Sequence, residues 1–229
     1  MTIPKNIFQT HKSLKYIQSK PRLLSAMKSW LYYKGDFKYY FFTNEMCDTF
    51  MREKIGGIVF QAYQRLPMGV MKADLWRYCI IYYYGGIYSD VDTVCLKHPS
   101  IFLHPTAELV LAPENSTHLC QWTFAAPPKS PILLAIINLS AKRILTIPKI
   151  KGEHIVHYLI GPGVFTDAIE EYIKEKEGTV YPNRNDYTNN TFPSLYCFQP
   201  DIFHTKIIRH LFAGGDEDGW TKERAKKLI

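Results

Sequence analysis

The chain has 229 residues and no C-x-x-C pair. Its five cysteines, Cys47, Cys79, Cys95, Cys120 and Cys197, are scattered and odd in number, which argues against a disulfide framework and a zinc ribbon and fits a reducing compartment. It also lacks long apolar runs. The opening "MTIPKNIFQTHK" has no apolar core of signal-peptide length, and no uninterrupted hydrophobic stretch reaches membrane-spanning length, so the expectation is a soluble, cytoplasmic chain without a transmembrane segment. Missing too are the phosphate-cradling loops G-x-x-x-x-G-K-[ST] and G-x-G-x-x-G, the G-x-S-x-G elbow and H-E-x-x-H. There is no internal repeat, low-complexity tract or composition shift, so residues 1–229 are expected to form one domain.

What is there is enough apolar residue, 46%, to bury a full core. Lysine and arginine exceed aspartate and glutamate by 28 to 21, a formal +7, which favours polyanions, anionic membrane surfaces or phosphorylated ligands without choosing among them. The first hundred residues alternate in character. "NIFQT" (6–10) reads as a strand, "PRLLSAMKSWLYY" (21–33) as a helix, "FKYYFFT" (37–43) as a strand and "NEMCDTFMREK" (44–54) as a helix capped by Asn44. "MGVMKADLWRYCIIYYYGG" (68–86) has helical spacing and a Gly85-Gly86 stop, followed by a strand "IYSDVDTVCL". This order predicts an α/β fold with a mostly parallel, Rossmann-like sheet flanked by helices. Beyond residue 100, "LVLA" (109–112) and "WTFAA" (122–126) read as strands, 130–144 and 163–178 as helices, 183–194 as a long loop and "KIIRHLF" (206–212) as a last strand.

The feature that asks for an explanation is "YSDVD", with Asp90 and Asp92 separated by Val91. On a strand, residues two apart share a face, so the carboxylates would stand roughly 6.6 Å apart. At an effective dielectric of ~20 they would repel by about 2.5 kcal/mol. A divalent cation offsets that repulsion, and hard oxygen ligands suit Mg²⁺ or Mn²⁺, which bind through one or two carboxylates together with substrate phosphates. The alternative is a solvated turn that happens to carry two acids. A calcium loop of the EF-hand type fails, because its glycine and terminal glutamate are absent. Asp74 and Arg77, at i and i+3 of the preceding helix, are either a salt bridge or a pair facing the same pocket, Arg77 toward a phosphate or sugar oxygen and Asp74 toward hydroxyls.

Taken together, "ADLWRY" (73–78) and "YGGIYSDVD" (84–92) resemble the DxD sugar-binding region of family 32 glycosyltransferases, a region similar also to the catalytic core of glucosylating toxins. "IPKNIFQT" (3–10) resembles the family's first strand, so the match covers the first hundred residues. The resemblance implies a GT-A fold, a nucleotide-sugar donor with Mn²⁺ or Mg²⁺, and transfer with retention of anomeric configuration. It assigns catalysis to Asp90, Asp92, Arg77 and Asp74. Donor contacts would come from Gln9, Thr10, Asp74, Arg77, Tyr88, Asp90 and Trp220, and metal contacts from Asp92, Asp90, His210 and Asp218. Residues 1–100 would be the nucleotide-sugar half. Residues 101–229 would be the acceptor side, with "WTFAAPPKSP" (122–131) and "GPG" (161–163) along the cleft and "HLFAGGDEDGW" (210–220) as the metal and diphosphate element. Phe8, His11 and Asp218 depart from the family's usual His, Trp and Ser.

The expected reaction is transfer of a hexose, from a UDP-sugar in preference to a GDP-sugar, onto a glycan or other hydroxyl acceptor, as in capsule or oligosaccharide synthesis. The cytoplasm concerned would be the host's if the gene were viral. Alternatives are a non-catalytic carbohydrate or nucleotide-binding module and a basic nucleic-acid-binding domain. The latter is disfavoured because the clustered aromatics, 14% of the chain, lack the interleaved basic pattern of RNA readers. His154 and His157 share a helix face but have no third zinc ligand, and "KERAKK" (222–227) reads as a solvated helix end with peripheral membrane contact as the lesser reading.

Overall fold

The computed structural model describes residues 2–212. In chain order the elements are β1 (Asn6–Thr10), α1 (Leu14–Gln18), α2 (Pro21–Tyr33), β2 (Lys38–Phe42), α3 (Asn44–Phe50), α4 (Gly57–Arg65), α5 (Gly69–Tyr84) and β3 (Gly86–Ser89). Then follow β4 (Thr93–Cys95), β5 (Leu109–Leu111), β6 (Thr123–Ala126), α6 (Pro131–Thr146), α7 (Ile155–Leu159), α8 (Pro162–Glu177), β7 (Leu195–Cys197) and β8 (Ile208–His210). Six strands form the main sheet in the order β2-β1-β3-β6-β5-β7, and β4 pairs with β8 in a separate antiparallel ribbon. Only β6 runs against the other strands of the main sheet, which is the mostly parallel α/β architecture the alternation predicts.

Alternating strand residues face opposite layers, and each layer is apolar. Phe8, Tyr88, Leu109, Leu111 and Phe124 pack into one core with α4, α5, α6 and α8. Their neighbours Ile7, Ile87, Val110 and Ala125 pack into a second core with Trp30 of α2 and with Phe198, Phe203 and Ile207 from the C-terminal segment. Helix α5 has no polar face. Met71, Leu75, Trp76, Tyr78, Cys79, Ile80 and Ile81 are all buried, so even its charged pair lies inside.

Two local readings are corrected. The cap of α3 is Thr43, in extended backbone with its hydroxyl accepting from Met46 N at 3.4 Å, and Asn44 is the first helical residue. The strand expected to run through "IYSDVDTVCL" is broken. Asp90 carbonyl accepts from Thr93 N at 3.1 Å and from Thr93 Oγ1 at 2.5 Å, which closes a turn, ends β3 at Ser89 and sends β4 out of the main sheet. The segment 183–194 is a loop around a single 3₁₀ turn at Arg184–Asn189.

Gly85 and Gly86 join α5 to β3 at φ +65° and +121°. A Cβ on Gly85 would stand 2.5 Å from Pro128 Cδ, and one on Gly86 would stand 2.6 Å from the Asn6 carbonyl oxygen. Both the left-handed backbone and the close packing therefore require glycine, and together they fix how the acid pair is presented after the helix.

Candidate active site

The site is built at the carboxyl ends of β1 and β3, the edge where open α/β sheets hold ligands. Asp90 follows β3 directly. Its N–H continues the β3–β6 ladder by donating to the Trp122 carbonyl at 2.8 Å, and its carbonyl also accepts from Gln9 Nε2 at 3.0 Å. Gln9 is buried at the end of β1 and in turn accepts from the Tyr39 hydroxyl at 2.5 Å. The turn is thus held by three neighbouring strands. Asp92, two residues on, precedes β4, and its carbonyl accepts from Leu211 N at 3.0 Å. Because β4 pairs with β8 in the register Thr93↔His210, His210 is carried to the same point, with Nε2 3.2 Å from Asp92 Oδ2.

Asp90, Asp92 and His210 each offer one ligand atom, and these atoms all lie within 4.8 Å of one another. The acids are therefore on a turn and not on a strand face, closer than the 6.6 Å that the extended spacing implies. Two carboxylate oxygens and an imidazole nitrogen fit a six-coordinate hard or borderline divalent cation that keeps waters or ligand oxygens in its other positions, and they suit Mn²⁺ or Mg²⁺. The indole of Trp122 stacks on His210 with ring centroids 4.7 Å apart, which orients the imidazole.

Behind this cluster is a buried charge network. Arg77 Nη2 lies 2.6 Å from Asp74 Oδ1 and 3.2 Å from Asp90 Oδ1, while Nη1 donates to the Gln121 carbonyl at 3.2 Å. The guanidinium lies 4.6 Å from the centre of the Tyr88 ring, and the Tyr88 hydroxyl donates to Asp90 Oδ1. Asp74 and Arg77 are each only 4% exposed. Burial pushes Asp74 up, to about 7, against the pull of Arg77, and Asp90 adds to the rise. Burial also raises Asp90, opposed by Arg77 and reinforced by Asp92. For Arg77, burial works against the charge, but Asp74 and Asp90 outweigh it and hold the guanidinium more firmly charged than usual. Burial likewise works against His210, yet its hydrogen bond to Asp92 wins and leaves the imidazole above its ordinary range. Arg77 Nε is buried and has no hydrogen-bond partner among the described residues.

Most residues singled out in the sequence meet here: Asp74, Arg77, Tyr88, Asp90, Asp92, His210 and Gln9. Thr10 sits at the same sheet edge but faces sideways, its hydroxyl donating to the Phe42 carbonyl at 2.9 Å and resting 3.2 Å from Cys47 Sγ. Asp218 and Trp220 lie outside the described residues. His154 and His157, with ring centroids 6.4 Å apart, are not among the described residues placed to share a metal ion. The sequence reading missed Gln121, whose side chain also receives the Tyr78 hydroxyl, and the part Tyr39 plays. It also missed Glu114, whose carboxyl is pushed up by desolvation against the pull of His210, with Asp90 adding to the rise. Gln121 had one available signal, its place directly before the cleft segment beginning at Trp122.

Comparison with known proteins bears on the same residues. Residues 20–114 match the family model described as "Glycosyltransferase sugar-binding region containing DXD motif". An initiation-specific alpha-1,6-mannosyltransferase of Candida albicans is 29% identical over 206 residues, covering 74% of this chain and 53% of that protein. Inositol phosphoceramide mannosyltransferase 1 of Schizosaccharomyces pombe is 34% identical over 110 residues, or 47% of this chain and 33% of that one. The chain thus spans about half the length, or less, of these relatives. Among solved structures, the PaToxG glycosyltransferase superposes with a TM-score of 0.60 at 20% identity, covering 75% of this chain and 70% of that one. Residues 20–114 thus match a glycosyltransferase sugar-binding region, in line with the sequence motifs, and the fold is shared with a solved glycosyltransferase.

Proposed function

We propose that this chain is a metal-dependent glycosyltransferase that moves a hexose from a nucleotide-sugar to a hydroxyl of a glycan acceptor, and that the hexose is mannose. The observation that carries the reading is the convergence of Asp90, Asp92 and His210 within 4.8 Å beside the buried Asp74–Arg77 pair. The mannose is taken from the names of the relatives. Residues 1–229 are read as one GT-A unit acting in the cytoplasm, and retention is carried over from the family resemblance.

A divalent cation held by Asp90, Asp92 and His210 supplies charge neutralisation for a diphosphate leaving group. The remaining chemistry is electrostatic positioning by side chains that do not have to reorganise. Arg77 is fixed on three sides by Asp74, Asp90 and the Gln121 carbonyl, so its positive charge stands preorganised behind the acid cluster, where charge develops on the leaving group. Asp74 orients that guanidinium and accepts from sugar hydroxyls. Gln9 locks the turn through the Asp90 carbonyl, so the carboxylates keep their aim when a charged ligand arrives.

The test is NMR of the purified chain with Mn²⁺ or Mg²⁺ and a panel of GDP- and UDP-hexoses, including GDP-mannose, following donor hydrolysis and the anomer first released. Metal-dependent release of the α-anomer of one sugar from its α-linked donor is the expected result. Binding without release under every condition would instead leave a non-catalytic sugar-nucleotide module, and release of the opposite anomer would end the claim of retention.

A further inference from the structure

The charge of the chain is not spread evenly. Residues 1–35 hold seven lysines and arginines and no aspartate or glutamate, so the whole formal +7 resides there and the remainder of the chain is balanced. Two of the seven are engaged within the protein: Lys5 Nζ lies 2.6 Å from Asp36 Oδ2, and Lys34 Nζ donates to the carbonyls of Gly35 and Phe37 at 3.3 and 3.4 Å. Lys12, Lys15, Arg22 and Lys28 are exposed and have no acidic partner among the described residues.

Helix α2 sets their arrangement. Leu23, Ala26, Met27 and Trp30 are its buried face, which leaves Arg22, Ser25, Lys28 and Tyr32 as one outward stripe about 15 Å long, with Leu31 beside Lys28 on its flank. Helix α1 shares a small core with α2 through Ile17, Leu23 and Met27, so Lys12, Leu14 and Lys15 carry the face past the start of α2. Apolar side chains stand among the cations: Leu14 and Leu31 are each 40% exposed and Tyr32 is 81% exposed. The small core also takes in Val91, between the two acids of the turn, and the Arg22 guanidinium lies 4.4 Å from the centre of the Phe212 ring, two residues beyond His210. One end of the face therefore borders the candidate active site.

We infer that the α1–α2 face docks the protein on a bilayer surface that carries anionic phospholipids. Lys12, Lys15, Arg22 and Lys28 meet the headgroup phosphates, and Leu14, Leu31 and Tyr32 enter the boundary between headgroups and acyl chains. Four cations alone would serve any polyanion, so the decision falls to what stands between them. A nucleic-acid backbone offers phosphates to the lysines but nothing to an exposed leucine. A bilayer interface takes both, because anionic lipid attracts each lysine or arginine near its surface while aliphatic side chains and the amphipathic ring of tyrosine are favoured at headgroup depth. Among the described residues no helix is long and apolar enough to cross a membrane, so the contact is made from the surface. Docking by this face brings the acid turn close to the headgroups.

Co-sedimentation of the full chain with phosphatidylcholine vesicles, with and without phosphatidylserine, tests it in the absence of metal and donor. Binding is expected to the phosphatidylserine vesicles and not to phosphatidylcholine alone, and to weaken as salt rises. The double variant Lys15→Glu/Lys28→Glu should lose at least about 25-fold in vesicle affinity, about fivefold for each basic residue removed. Leu31→Ser/Tyr32→Ser should lose about fivefold or more on vesicles and leave binding to single-stranded RNA unchanged. All four positions are exposed, and metal-dependent donor hydrolysis by both variants should match that of the parent, which shows that the fold is intact. Equal binding to the two kinds of vesicle, no binding to either, or phosphatidylserine binding that survives Lys15→Glu/Lys28→Glu would overturn the proposal. So would a Leu31→Ser/Tyr32→Ser variant that binds vesicles as the parent does, or RNA held more tightly than the anionic vesicles, which would hand the face to nucleic acid. Each of these outcomes leaves the transferase reading standing, since the binding is measured without donor or metal.

Discussion

Two acidic groups of this molecule sit a short distance apart and obey different physics. The Asp74–Arg77 pair is on one rigid helix, 5% exposed at each side chain, with its charge matched inside the protein. Asp92 and His210 are on a turn and a ribbon strand, 17% and 16% exposed, with carboxylate oxygens still open to a ligand. A buried pair contributes little net stability against its desolvation, but removing one partner is costly because the other is stranded. A partly open cluster costs little to alter and carries its value in what it binds. The first group should therefore report on folding and the second on function.

Four experiments press on that contrast. The largest effect is expected from Asp92→Asn, which should reduce metal-dependent transfer by at least about 100-fold, on the scale of losing a main electrostatic stabiliser, while thermal unfolding shifts by only a few degrees. A donor-turnover assay run beside calorimetry decides it, and a large loss of stability would erase the distinction. Next is Arg77→Ala, which strands Asp74 and Asp90 and should destabilise the chain by about 3–5 kcal/mol in urea titration, with activity lost as well. Arg77→Lys should recover more stability than activity, since an ammonium cannot span Asp74, Asp90 and the Gln121 carbonyl.

Gly85→Ala comes third, at about 1–3 kcal/mol, the range for backbone forced into a sparsely populated region, and here with contacts under 3 Å in addition. The fourth test is a pH slope. Burial pushes the Asp74 carboxyl up to about 7, against about 3.9 for an ordinary aspartate, so the native state holds a proton that the unfolded chain releases between those values. Stability should then fall as pH rises across that window, by up to about 1.4 kcal/mol per pH unit, and level off above it. Urea titrations of the metal-free protein at pH 5 and pH 7 measure the slope, which Asp74→Asn should flatten.

The sequence was most readable where local chemistry alone decides. Helix α2 begins at Pro21, which needs no N–H partner at that position, and its periodicity carries it to Tyr33. Helix α5 stops at Gly85 because no other residue fits that φ and that packing. Asp74, Arg77, Asp90 and Asp92 were readable as a set because the helix, the glycines and the turn are contiguous. What escaped depends on pairing between distant segments. The break in the strand after Ser89 is set by β8, more than a hundred residues away, and by a turn whose bonds involve Thr93. Gln121 joins the site through the reversed strand β6, whose register against β3 no local pattern announces. Residues 57–65 form a helix with no capping side chain at Gly56, and so gave no start signal.

The turn from β3 to β4 also has a mechanical meaning. It crosses a seam: Asp90 belongs to the main sheet, while Asp92 belongs to the ribbon, fastened to β8 by the Thr93↔His210 pairing and by Leu211 N. Asp92 and His210 are thus carried on one plate and Asp90 on another. Any ion held by all three is a rivet between the plates, and its arrival should slow hydrogen exchange at the Thr93 and Leu211 amides even though neither residue touches it.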